Sequence, residues 1–223
     1  MSVTQVPQGG SGSGGTAGLG TFVTPPTSGW AWTNQGTASV VATSDGSGFT
    51  LVKPAIGANV DDYSLYTRAL PASRRVSIAM RVLAGGTMSS GQYPSGGICL
   101  LESGTGKFIA ASIVGSGAAA TGPFLQVQKY TNTTTYAGSD YTAQFYHFQD
   151  LMRLRLFNGA AGIERRTVQW GLTGDLWLPT NIVDVLWNDF CVPDRIGFCA
   201  NGFGVAGNQN FGVLVEALSW DES

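Results

Sequence analysis

Apolar and polar residues alternate along this chain in short runs. In residues 76–82, Val76, Ile78, Met80 and Val82 share one parity while Ser77, Ala79 and Arg81 share the other. In residues 152–156, Met152, Leu154 and Leu156 alternate with Arg153 and Arg155. A period of two sends successive side chains to opposite faces of a strand, so these runs predict strands buried on one face. The same reading predicts strands at 38–43, 49–53, 65–68, 98–102, 108–113, 124–130, 164–170, 195–200 and 211–220, the first two joined by the turn Ser44-Asp45-Gly46-Ser47-Gly48. Residues 179–190 carry a helical spacing instead, with Pro179 placed to open a turn and Ile182, Val185 and Leu186 following. Many short strands without intervening helices predict an all-β fold, two packed antiparallel sheets of the jelly-roll kind.

Composition supports strands and adds a second region. Charged residues are 12% of the 223, half of the ~25% usual in soluble proteins, and there are 32 glycines. Too few Glu, Lys and Arg remain to cover long surface helices, whereas tight glycine turns suit a sheet. Residues 9–20 read GGSGSGGTAGLG, and no charged residue precedes Asp45. Such a segment has reach but no core of its own. The predicted division is a glycine-rich arm, 1–28, and a β-sandwich, 29–223. Order in the arm would come from a partner's surface, on which Val3, Val6, Leu19 and Phe22 are the candidate anchors.

Several function classes recede on charge and cysteine count. A net charge of −2, carried with only the lysines Lys53, Lys107 and Lys129, leaves no footprint for nucleic acid or an anionic membrane. The pairs Arg74-Arg75 and Arg165-Arg166 read as solvated strand ends. The start, Met1 to Pro7, has neither a basic nor an apolar signal region, and no later run approaches the ~18 apolar residues of a membrane helix. The expectation is a soluble protein made in the cytoplasm. Cys99, Cys191 and Cys199 are odd in number and lack Cys-x-x-Cys spacing, which predicts buried free thiols and no zinc site.

The order of features resembles the concanavalin A-like lectin and glucanase jelly roll, in the versions found in tailed-phage virion proteins. The residues that carry the resemblance are Trp30-Ala31-Trp32-Thr33-Asn34 before a hairpin, Leu70-Pro71 leading into 76–82, and the stretch from Trp170 to Trp177. Pro193-Asp194-Arg195-Ile196-Gly197-Phe198 and the closing Leu218-Ser219-Trp220 complete the set. The resemblance covers residues 28–223 as a strand pattern, and no single piece of it is a specific signature. It implies a fold, which does not by itself imply a function. Together with the arm and the absent secretion signal it implies a virion component, a tail, fibre or decoration protein, assembled in the host cytoplasm. The arm would join it to other virion proteins, sister copies included as a homo-oligomer, and the sandwich would meet host-surface glycan.

Catalytic chemistry has little to rest on. The resembled hydrolases carry a Glu-x-Asp-x-x-Glu strand, whose i, i+2 carboxylates share one cleft. Here no two carboxylates stand at i, i+2, and Asp61-Asp62 and Asp221-Glu222, as neighbours on a strand, would face opposite ways. The single histidine, His147, has no Gly-x-Ser-x-Gly partner motif and reads as a packed or loop residue. No catalytic residue, metal or cofactor is therefore predicted. Asn181, Asp184, Asn188 and Asp189 offer oxygen ligands for calcium but read more readily as ordinary turn and capping residues. Binding has a better candidate in 130–148, where Tyr130, Asn132, Tyr136, Asp140, Tyr141 and Tyr146 combine aromatic faces with short polar groups. That segment suits a sugar or a protein partner, and it reads as well as a long hairpin with edge tyrosines. Trp170, Trp177 and Trp187 form either a stacking platform or part of the core.

Overall fold

The computed structural model describes residues 22–56, 60–86, 93–115, 124–144, 152–158, 165–171, 183–203 and 211–222, and in these it is all-β. Fourteen strands follow one another among the described residues: β1 (Ala31–Thr33), β2 (Ser39–Ala42), β3 (Phe49–Pro54), β4 (Tyr63–Ala69), β5 (Val76–Gly86), β6 (Ser95–Leu101) and β7 (Phe108–Val114). The second half continues with β8 (Phe124–Asn132), β9 (Thr135–Gln144), β10 (Met152–Asn158), β11 (Arg165–Gly171), β12 (Val183–Leu186), β13 (Arg195–Asn201) and β14 (Phe211–Asp221). They make two seven-stranded sheets, ordered β1-β4-β13-β6-β7-β8-β9 and β12-β11-β10-β5-β14-β3-β2. Every pairing is antiparallel.

The core lies between the sheets and follows the alternation. Val76, Ile78, Met80 and Val82 are buried on β5, as their shared parity predicts, beside Leu51 of β3 and Val213, Val215 and Ala217 of β14. The first sheet meets them with Ile98, Leu100, Ile109, Ala111, Ile113, Leu125, Val127, Ile196 and Phe198. Each such side chain contributes roughly 1.5–3 kcal/mol by leaving water. At one end Trp30 lies stacked on Tyr66 at 5.2 Å and edge-on to Trp220 at 5.1 Å, beside Phe49 and Phe198.

One feature of the first sheet departs from the half-buried expectation. Strands β6 and β7 are buried at every position, and β13 at all but its first. Residues Tyr63, Leu65, Cys99, Leu101, Phe108, Ala110, Tyr130 and Cys199 form a second apolar cluster of the opposite parity, on the face turned away from the sandwich core. The signal lies in the unbroken runs Ile98-Cys99-Leu100-Leu101 and Phe108-Ile109-Ala110-Ala111, since strands buried on both faces read as continuous apolar stretches. All three cysteines are buried and free. Cys99 Sγ donates to Phe198 O at 3.7 Å, and burial pushes its thiol well above the usual range, which keeps it unreactive.

The helical expectation for 179–190 is corrected. Val183–Leu186 is a strand paired with β11, followed by a turn in which Asp189 N–H donates to Leu186 O at 3.0 Å. The β-branched Val183 and Val185 and the exposed β11 edge outweigh the helical spacing; residues 179–182 lie outside the described part. The solvated reading of Arg74 is corrected too, because its guanidinium sits 4.6 Å from the Trp187 ring centroid and Trp187 is in the core. Before residue 29 the chain already touches the sandwich. Val23 N–H donates to Ser219 Oγ and Val23 O accepts from Trp220 N–H, both at 2.8 Å.

Candidate functional site

The second apolar cluster ends in a cavity of about 410 Å3, where β4 and β6 begin and β7 and β13 end. Its floor is a set of buried hydroxyls. Tyr63 Oη and Ser95 Oγ share a hydrogen bond of 2.9 Å, Tyr63 Oη also reaches Gln128 Oε1 at 3.4 Å, and Tyr130 Oη donates to Tyr63 Oη at 3.5 Å. The Tyr130 ring stacks on Phe108 at 4.8 Å, which holds the phenol in place. Burial raises both phenols well above their ordinary value, so each stays a neutral donor. The rim is aromatic: Tyr93 and Phe203 lie 5.9 Å apart, and Tyr136 stands edge-on to Tyr130 at 5.7 Å. Phe124, Gln126 and Val114 complete one side.

Charge enters through Asp61. Its Oδ1 accepts from Asn201 Nδ2 at 2.7 Å, and Asn201 Oδ1 accepts from the Asp62 N–H at 3.0 Å. The two neighbouring aspartates point different ways, as their adjacency predicts. Asp62 turns to the sandwich core, where its carboxylate pairs with the fully buried Lys53 at 2.5 Å and accepts from Asn34 Nδ2 at 2.8 Å. Lys53 also donates to Ser64 Oγ at 3.0 Å. Among the described residues Asp61 has no such cation, and burial pushes its carboxyl above the usual value against the lowering effect of Asn201. Among the described residues lining the cavity it is the sole carboxylate.

The structure separates the residues singled out in 130–148. Tyr130 is buried and, with Tyr136, lines the cavity. Tyr141 lies opposite Val127 and packs on the sandwich core, its odd separation of five residues from Tyr136 putting the two on opposite faces, since the two register shifts between them cancel. Asp140 is bound to Lys129 at 2.5 Å, at that strand's other side, and Lys129 also holds Asp189 at 2.9 Å. Asn132 sits in the β8–β9 turn, where its Oδ1 accepts from the Thr134 N–H and hydroxyl, both at 2.9 Å. Tyr146 and His147 lie outside the described residues, as do Val3, Val6, Leu19 and Asn181; Phe22 is exposed. Of the oxygen ligands considered for calcium, Asp189 is held by Lys129, while Asn181 and the side chain of Asp184 lie outside the described residues. The platform reading loses Trp187 to the core, while the side chains of Trp170 and Trp177 lie outside the described part.

Missed altogether were Tyr93, Ser95, Gln126, Gln128, Asn201 and Phe203, which converge from three separate stretches of sequence. Asp61 was noticed only as half of a pair.

Two seven-stranded antiparallel sheets in this order form a concanavalin A-like jelly roll. Solved structures similar to it include a native glycosidic hydrolase, with a TM-score of 0.50 and 10% identity over 87% of this chain and 89% of that one. The Lotus tetragonolobus seed lectin follows at 0.48 and 8%, over 89% and 96% of the two chains. The metal-free carbohydrate recognition domain of Emp46p gives 0.46 and 15%, over 85% and 87%. No protein-family model and no curated protein matches the sequence. At these identities the likeness is one of fold, and function has to be argued from the cavity.

Proposed function

We propose that this protein is a non-catalytic carbohydrate-binding jelly roll, which holds a sugar in the cavity at the end of the first sheet. The observation that carries this reading is the lining: aromatic rings around a floor of hydroxyls and amides, with one carboxylate. Rings cover the apolar faces of a sugar while hydroxyls and amides meet its oxygens. The volume, about 410 Å3, falls within the ~300–1,000 Å3 of small-molecule sites. Hydrolysis of a glycosidic bond ordinarily uses two carboxyl groups ~5–9.5 Å apart across the bond. Asp61 has no second carboxylate beside it among the described lining residues, and Asp62 is turned to Lys53.

The finer proposal is that the sugar belongs to a host surface and that the protein is displayed on a tailed-phage particle, with residues 1–28 attaching it to other virion proteins. The strand-by-strand resemblance of residues 28–223 and the seven glycines within 9–20 support that setting.

A glycan array probed with the whole chain tests the binding, followed by titration of the best ligand against Tyr136→Ala. Tyr136 is half exposed and its hydroxyl bonds only to Ser139 in the same strand, so the variant is expected to keep its melting temperature. Its affinity is expected to fall about tenfold, roughly 1.4 kcal/mol. An array without ligands would overturn the reading, and release of reducing sugar from a bound glycan would turn it into an enzyme.

A further inference from the structure

Most half-buried carboxylates are compensated by a cation, and this molecule shows the usual solution one residue away, in Lys53 and Asp62. Asp61 is treated differently. It is more than half buried, and its single protein partner is the amide of Asn201, on Oδ1. No described Lys or Arg lines the cavity around it. Residues 57–59, 87–92, 116–123 and 204–210, which adjoin the lining strands in sequence, contain no charged residue, and residues 145–151, which follow β9, contain Asp150 and His147 but no Lys or Arg. Among the described lining residues the charge is therefore one carboxylate, set among the aromatic rings of Tyr93, Phe124, Tyr136 and Phe203.

Resting on the carbohydrate-binding reading above, we infer that this cavity selects amine-bearing sugars, glucosamine-type residues with a free ammonium, over N-acetylated sugars and against uronic or other acidic sugars. An ammonium donates to the unpaired Oδ2 of Asp61 and lies against the rings, supplying the cation that the chain omits. An anionic sugar meets the carboxylate with no counter-charge and loses its hydration for nothing. The raised carboxyl of Asp61 agrees with this, since burial without a cation favours the neutral form until a cationic ligand arrives.

The test measures binding of three oligosaccharides of equal length to the whole chain: a glucosamine oligomer, its fully N-acetylated counterpart and an oligogalacturonate. It is run where the amine is protonated and Asp61 ionised, at low and at high salt. The glucosamine oligomer is expected to bind about tenfold more tightly than the acetylated one. That advantage shrinks with salt, and the galacturonate binds least. Asp61→Asn keeps the acceptor for Asn201 and is expected to abolish the tenfold preference, so that the amine and acetyl forms bind alike. If this variant does not fold, the wild-type order and its salt dependence decide the matter alone. Equal binding of the amine and acetyl forms overturns the charge selection and leaves sugar binding standing. The galacturonate binding best, or none of the three binding, also overturns it, and the glycan array then judges sugar binding separately.

Discussion

Asp45 and Asp61 show how one side-chain type takes opposite roles from its surroundings. Asp45 sits exposed in the turn between β2 and β3, where its Oδ1 accepts from the Ser47 hydroxyl at 2.7 Å and the Ser47 N–H at 3.0 Å. Those two bonds, with help from Thr43, hold its carboxyl down from 3.8 to about 2. A folded-state value below the unfolded one contributes stability that is fully present above the unfolded value and lost as pH falls through the folded one. Acid titration of the melting temperature between about pH 4 and about pH 2 should show this loss in the wild type, and Asp45→Asn should flatten it. An unchanged acid limb in the variant would mean that the turn bonds do not persist in solution. Asp61 carries the reverse sign: its value is raised by burial, so its ionisation costs stability as pH rises past the ordinary carboxylate range. Asp61→Asn should therefore melt no lower than the wild type at neutral pH, even as it loses its ammonium preference. The turn that holds Asp45 shows in the sequence Ser44-Asp45-Gly46-Ser47-Gly48, whereas nothing beside Asp61, between Val60 and Asp62, shows its burial.

Strand β6 approaches β7, and β13 approaches β4, so closely that a side chain has been given up at each contact. A Cβ on Gly97 would lie 2.1 Å from the carbonyl oxygen of Ala111, and one on Gly197 the same 2.1 Å from that of Tyr66. Backbone cannot yield as a side-chain tip does, so Gly97→Ala should destabilise the fold by about 1–3 kcal/mol. A shift in denaturant midpoint at constant slope would measure it, with Gly104→Ala, which meets nothing within 4 Å, as the control. Equal midpoints for the two variants would show that the strands separate more easily than their spacing suggests. The strands with strong alternation or unbroken apolar runs, such as β5, β6, β7 and β14, were legible. β9 was legible only as one arm of a long hairpin, because Thr135, Ala137, Gly138, Ser139 and Thr142 offer no apolar parity, and its register comes from backbone pairing with β8. β12 was misread because four residues cannot separate a helical from an extended period.

For the molecule as a whole, the sandwich holds the chain from Val23 onward through Ser219 and Trp220, and Trp30 Nε1 donates to Pro26 O at 2.7 Å. Removing residues 1–20 leaves all of these contacts in place. The truncated chain is expected to keep the wild-type melting temperature and β-sheet circular dichroism. Under the proposed virion setting it is also expected to fail to co-sediment with particles, whereas normal incorporation would put attachment on the sandwich. A lowered melt would show that the segment contributes to the fold itself.

The fold class was written in the chain, because burial on one or both faces of a strand leaves a local record: period two in 76–82, an unbroken run in 108–114, turn residues between. The scarcity of charge was equally plain, and it already limited the chemistry available. The cavity left no such record. Asp61, Tyr93, Gln128 and Asn201 are far apart in sequence and meet only when β4, β6, β8 and β13 are laid side by side in the first sheet. The odd spacing of Tyr136 and Tyr141 already sends them to opposite faces, but which one takes the cavity and which the core was decided only by the pairing of β9 with β8, since a shift of one residue would exchange them.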